Sequence, residues 1–135
     1  KRYTEVEINT ADTTAFIALP GIGSRLAARI VHFREKLGGF YSIAQLGETF
    51  GLADSVFQQI KPFLKLQSVA LRKININTAT GGDLKPHPYL KWNIINALLA
   101  YRKEHGPFRS IEDLKKLQIM TDELFAQLSP YLMLD

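Results

Sequence analysis

The chain has 135 residues, 46% hydrophobic and 22% charged, with 17 basic and 13 acidic side chains and a formal net charge of +4. That balance suits one medium globular domain or two small ones, not a disordered chain, and the mild basicity permits nucleic-acid binding without requiring it. The lack of cysteine excludes disulfides, a thiolate nucleophile, a zinc ribbon and an Fe–S cluster, and no apolar run approaches the ~20 residues that span a bilayer.

In chain order, Thr4 to Ile8 alternate polar and apolar residues, which predicts a short extended segment. Asp12 reads as the N-cap of a short helix that stops before Pro20. A turn, Leu19-Pro20-Gly21-Ile22-Gly23-Ser24-Arg25, leads into a longer helix. On that helix Leu26, Ile30, Phe33 and Leu37 share one face, and Arg25, Arg29, His32 and Lys36 share the opposite one at i, i+4, i+7, i+11 spacing. Gly38-Gly39 ends it. Ser42-x-x-Gln45 is the pattern of a capping box, Asp54 is expected to cap a last helix ending at Pro62, and Leu64 to Leu66 is a second extended candidate.

The chain then repeats itself without a gap. Ile8-Asn9-Thr10-Ala11 returns as Ile76-Asn77-Thr78-Ala79, a shift of 68 residues. The same shift pairs Arg34 with Arg102, Gly38 with Gly106, Phe40 with Phe108, Ser42-Ile43 with Ser110-Ile111, Asp54 with Asp122 and Pro62 with Pro130. Two copies of one unit follow, residues 8–66 and 76–134, joined by a linker from Gln67 to Asn75. The linker is short and partly apolar, which predicts copies that pack together. In copy two, Lys73 to Ile76 is extended, Thr80 caps a helix ending before Pro86, a helix from about Lys91 to Glu104 stops at Gly106-Pro107, Ser110-x-x-Asp113 opens the next, and Asp122 caps the last. The fold class is all-α, about four short helices per unit with minor extended segments at the unit edges.

The chemistry concentrates in the first turn. Pro20 stops a helix, Gly21 and Gly23 permit tight backbone and close approach, and Ile22 points inward. Backbone amides of Gly21, Ile22, Gly23 and Ser24 then sit at a helix N-terminus, where the dipole favours an anion. The Walker spacing is missing, so the turn is no nucleotide-triphosphate loop. Arg25, Arg29, His32 and Lys36 extend it into a cationic stripe suited to a phosphate backbone; an ordinary solvated face is the plain alternative.

The string Ile8-Asn9-Thr10-Ala11, Leu19-Pro20-Gly21-Ile22-Gly23, Phe33-Arg34-Glu35 and Gly39-Phe40 before Ser42-Ile43 resembles the helix-hairpin-helix family, and within it the ComEA-like competence DNA receptors. The resemblance spans nearly all of copy one and, more weakly, copy two. It implies sequence-independent binding of double-stranded DNA through hairpin amides and the basic residue after them, here Arg25. It also implies a role in DNA uptake or in a larger DNA-handling protein, an extracytoplasmic location if the chain is ComEA-like, and membrane contact only through segments outside this chain; otherwise a cytoplasmic location is expected. The sequence begins with Lys1 rather than Met, as a fragment or processed form does.

Copy two departs from that pattern. Its hairpin reads His87-Pro88-Tyr89-Leu90-Lys91, without glycine, and its stripe reads Asn93, Ala97, Ala100 and Glu104. Lys85, Lys91 and His87 remain as side-chain contacts. Gly51, in a second turn Phe50-Gly51-Leu52-Ala53, is a lesser phosphate candidate, with a plain turn the better reading. Arg34 and Arg102 occur in both copies and read as structural, bonding carbonyls beyond the helix end; Asn9 and Asn77 read as organisers of the opening turn. Trp92 reads as buried or as a partner contact before a base-stacking residue. The three histidines have no ligand spacing, no nucleophile has a base, and no carboxylate pair is placed for acid–base work. The expectation is a non-enzymatic binding module without metal, cofactor or small-molecule substrate. The alternative is a structural or protein-interaction module on the same fold, as in the extrinsic subunit of photosystem II.

Overall fold

The first unit opens with a two-residue strand, β1 (Val6–Glu7), which pairs in parallel with β2 (Leu64–Lys65), so the two ends of the unit are stitched together. The computed structural model describes residues 2–135 and divides after Leu71 into a second unit starting at Arg72. Between the strands run α1 (Thr13–Ile17), α2 (Ser24–Leu37), α3 (Ile43–Leu46) and α4 (Asp54–Ile60), followed by a single 3₁₀ turn over Lys61–Phe63. Asp12 caps α1 by accepting the Ala15 amide at 2.9 Å, and Gln45 Oε1 closes the α3 capping box by accepting the Ser42 amide at 3.1 Å. The predicted cap of the fourth helix is displaced by one residue. Ala53 is the N-cap of α4 and Asp54 is already helical, because Ala53 is the last residue with extended backbone.

The second unit repeats these elements at the 68-residue shift. Strand β3 (Ile74–Asn75) pairs in parallel with β4 (Leu132–Met133), a strand the sequence pattern does not mark. Helices α5 (Gly81–Leu84), α6 (Trp92–His105) and α7 (Asp122–Leu128) match α1, α2 and α4. The α3 equivalent, Ile111–Lys116, is wound as a 3₁₀ helix behind the predicted Ser110–Asp113 capping box. Thr80 caps α5 as predicted, whereas Thr121, not Asp122, caps α7 by accepting the Leu124 amide at 3.0 Å. The chain is therefore mostly α-helical, two tandem units with minimal parallel pairing at each unit's edge.

The core of each unit is aliphatic and aromatic. Phe16, Ile30, Phe40, Leu46 and Ile60 are fully buried in the first, and Ile76, Leu84, Leu98, Leu114 and Leu128 in the second. The buried side of α2 is not quite the face read from the sequence. Ala27, Ile30, Arg34 and Leu37 are buried, while Leu26 and Phe33 lie half-buried at its margin. Arg34 holds the interior position because its guanidinium has work there. It donates to the carbonyls of Ile8 at 3.0 Å and Ala11 at 2.6 Å, and so anchors α2 to the opening turn rather than to carbonyls beyond its own helix end. Arg102 donates to Ile76 and Ala79 in the same way, at 3.0 and 2.8 Å. Asn9 likewise does more than order its own turn. Its Nδ2 donates to the Phe40 carbonyl at 2.9 Å and its Oδ1 accepts the Phe40 amide at 2.8 Å, tying the turn to the chain just after α2. Asn77 repeats the bond pair on Phe108, at 3.0 and 2.7 Å.

Candidate nucleic-acid interface

The turn between α1 and α2 is built around two hydrogen-bonded steps. The Leu19 amide donates to Phe16 O at 3.0 Å and the Ile22 amide to Leu19 O at 3.3 Å. Ile22 drops its side chain into the core at 4% exposure and spends its amide on the turn. It therefore spaces the cradle but does not supply the donor the sequence reading gave it. Gly21 has φ +79°, a conformation that L side chains rarely adopt, so the turn itself demands glycine there.

Gly23 is different. Its φ is −91°, its backbone is extended, and a Cβ placed on it meets nothing within 4 Å. Neither local conformation nor packing requires a glycine at this position. It is the N-cap of α2, no side chain caps the helix's first turn, and Gly21, Gly23, Ser24 and Arg25 are all exposed. The amides opening α2 are thus left for an outside acceptor, with the positive end of a helix of fourteen residues behind them.

The predicted stripe is present on α2, with one change of role. Arg25, His32 and Lys36 are exposed. Arg29 is half-buried and lies over the Phe50 ring, 5.2 Å from guanidinium carbon to ring centroid, a cation–π contact. Its guanidinium occupies the space that a Cβ on Gly51 would need, and Gly51 itself has φ +83°. Gly51 is accordingly explained by the turn and by Arg29, and α4 behind it opens with the carboxylate of Asp54. Glu35, beside the stripe, pairs with Arg34 Nε at 3.0 Å.

The second unit has the same turn with its chemistry replaced. His87, at the position of Leu19, is only 5% exposed; its Nδ1 accepts the Tyr89 amide at 3.1 Å and its ring lies 4.8 Å from that of Tyr131. It is a core residue, withdrawn from the surface, and its Nδ1 is committed to closing the hairpin. Tyr89 replaces Gly21 without positive φ. Lys91, the N-cap of α6, puts a long side chain where Gly23 has none, and Lys85 and Lys91 are exposed. Asn93 takes the place of Arg25 and turns back on its own helix, its Oδ1 accepting the Ile94 amide at 3.0 Å. A cation aimed outward has become a group that satisfies the helix from within.

Sequence reasoning missed Phe50. It is 81% exposed at the tip of the turn before α4, and it walls a cleft with residues of the α2 stripe. The available signal was an aromatic residue next to a turn glycine. Trp92 was expected in a core or a contact and is 58% exposed at the first position of α6. Among the described residues no group of three or more His, Cys, Asp or Glu side chains is arranged to hold a metal ion, and no helix is long and apolar enough to cross a membrane.

Comparison with known proteins agrees with this architecture. The model of the helix-hairpin-helix motif matches residues 1–65 and again 69–133. Relatives include the endonuclease/exonuclease/phosphatase family domain-containing protein 1 of Danio rerio, 31% identical over 137 residues, covering 88% of this chain and 25% of that protein. The Mus musculus protein of the same name is 30% identical, covering 83% and 25%, and that of Homo sapiens 29%, with the same coverage. The chain thus spans about a quarter of the length of these curated relatives.

Proposed function

The chain belongs to the helix-hairpin-helix motif family, and on that premise we propose that its first unit holds the DNA backbone without reading base sequence. Helix-hairpin-helix motifs are in general nucleic-acid-binding motifs. The observation that carries the proposal is Gly23. A glycine that neither φ nor packing demands, at the uncapped start of α2 and two residues before an exposed Arg25, leaves an opening whose use lies outside the protein. A phosphate oxygen fits that opening. The helix amides donate, Arg25 supplies the counter-charge, and His32 and Lys36 continue the contact along α2.

The resemblance to competence DNA receptors supports the same step, and so does kinship with proteins named for an endonuclease/exonuclease/phosphatase domain. DNA uptake and DNA handling beside an enzyme both need a backbone grip that ignores sequence. In this reading the chain binds and does not catalyse, and the second unit contributes at most Lys85 and Lys91.

Anisotropy of a labelled duplex across a salt series tests the proposal. The expected result is sequence-tolerant binding, micromolar or weaker, with a salt slope corresponding to roughly 2–5 neutralised phosphates. Affinity that ignores salt, or a strong preference for one duplex sequence, would contradict the backbone mechanism, and no binding even at low salt would favour the protein-interaction reading instead.

A further inference from the structure

The fold makes the same cleft in both units. In the first it lies between α2 and the turn before α4, about 270 Å³, lined by Arg29, His32, Phe33, Lys36 and Phe50. In the second it measures about 300 Å³, with Ala97, Tyr101, Glu104 and Gln118 standing where Arg29, Phe33, Lys36 and Phe50 stand. The hollow is a property of the fold; its chemistry is a property of one unit. Only the first joins an exposed aromatic ring to three basic side chains, and none of the residues lining it is a carboxylate.

We propose that the first-unit cleft receives one unstacked nucleobase against Phe50, so that the protein prefers single-stranded or gapped DNA to intact duplex; the proposal rests on the backbone-binding reading above. An exposed phenylalanine beside cations calls for a ligand that is flat, apolar on its faces and anionic at its edge. A nucleotide is all three, and base–aromatic stacking tolerates any base. The ring is held in advance, because Arg29 lies 5.2 Å from its centroid and fills the space above Gly51. The cleft is also continuous with the backbone grip. Arg25, Arg29, His32 and Lys36 lie along one face of α2, and Arg25 to Lys36 spans about 16 Å of helix, so a strand held at the hairpin passes the cleft. Intact duplex keeps its bases stacked inside and cannot present a ring to Phe50 without being opened. The apolar side chain of a partner protein would draw nothing from the basic side chains around the ring.

The test uses the whole chain and three labelled oligonucleotides of equal length: a single strand, a blunt duplex, and a single strand whose sugars lack bases. Wild type should bind the normal strand more tightly than the other two. Phe50→Ala should weaken binding to the normal strand roughly tenfold, leave the duplex nearly unchanged, and erase the difference between normal and baseless strands. Phe50→Trp should keep the preference. Circular dichroism checks folding, which an exposed side chain should not disturb. Single-strand affinity unaffected by Phe50→Ala, or a loss equal on all three oligonucleotides, overturns the inference and leaves the backbone grip standing, with the cleft open to an acidic peptide instead. Wild-type binding to none of the three sinks both.

Discussion

Set side by side at a shift of 68 residues, the two units share the bonds that tie each opening turn to its long helix and differ most where they face outward. The Arg34 and Arg102 clamps reach equivalent carbonyls, and the Asn9 and Asn77 bridges differ by about 0.1 Å in each bond. The exposed faces share almost no chemistry. Gly23 against Lys91, Arg25 against Asn93, Lys36 against Glu104 and Phe50 against Gln118 alter the charge, size or hydrogen-bonding of each position. The contrast separates residues that make the hairpin from residues that use it. A hairpin fold needs the arginine clamp and the asparagine bridge; it does not need Gly23 or Arg25.

The largest effect should come from attacking what the units share. Arg34→Ala removes the side chain of a residue only 8% exposed and strips two carbonyls of a charged donor, which should cost about 3 kcal/mol. Arg102→Ala removes the same bonds from a half-buried site and should cost less, because water can replace part of the donor. Lysine should rescue neither well, since one ammonium cannot reproduce the fork of the guanidinium. Urea unfolding measures all of these. If Arg102→Ala were harmless, the bonds that look equivalent would not be equivalent in energy, and the shared-scaffold half of the comparison would fail.

Binding should divide the units the other way. Arg25→Glu should lower duplex affinity by tenfold or more and reduce the salt slope by about one or two phosphates, with the melting temperature nearly unchanged because the side chain is exposed. Lys91→Glu should change affinity by no more than about twofold. The reverse order would make the second unit the binding half.

Gly23→Lys sharpens the same division with a smaller change. It copies the residue at Lys91 into a position with open space and an ordinary φ. Stability should hold, and affinity should fall by a few-fold because backbone approach is obstructed while a positive charge is added. An affinity that rises with the extra charge would show that charge alone, and not close approach to the amides, governs binding.

These residues also mark how far the sequence could be read. The repeat, the hairpin glycines, the cationic stripe and the caps at Asp12, Ser42, Thr80 and Ser110 were legible because each depends on local spacing or on a side chain bonding its neighbours. What escaped depends on contacts distant in sequence. Arg34 reads as a clamp on carbonyls beyond its own helix end until its partners at Ile8 and Ala11 are known. His87 reads as a hairpin contact until Tyr131 covers its ring. Arg29 reads as one of four equal cations until Phe50 is found beneath it. Strand β4 lies in Leu132-Met133-Leu134, an apolar run without the polar alternation that marks Leu64-Lys65-Leu66 at β2.

The smallest difference concerns acid. At the capping box of α3 the first unit uses Gln45, whose Oε1 accepts the Tyr41 and Ser42 amides, while the second uses Asp113, whose Oδ2 accepts those of Arg109 and Ser110. An amide side chain does not titrate and a carboxylate does. The Asp113 pKa lies below the ordinary aspartate value, first because the Arg109 amide donates to the ionised form, with Lys116 and the Ser110 amide assisting. The depressed folded-state value fixes the sign. The contribution is complete above the unfolded-state pKa and is lost as pH falls through it towards the lower folded-state value. Asp113 lies half-buried at the protein surface, so the effect is local, a loosening of the turn before Ile111 rather than unfolding of the unit. Acid titration followed by amide chemical shifts should show the Arg109 and Ser110 signals inflecting below the ordinary aspartate range, with no such inflection from a cap at Tyr41 and Ser42. Asp113→Asn should remove the inflection while keeping the bonds. Inflections at both boxes, or one at Arg109 that survives Asp113→Asn, would mean that another group governs the turn and that the two caps do not differ in this way.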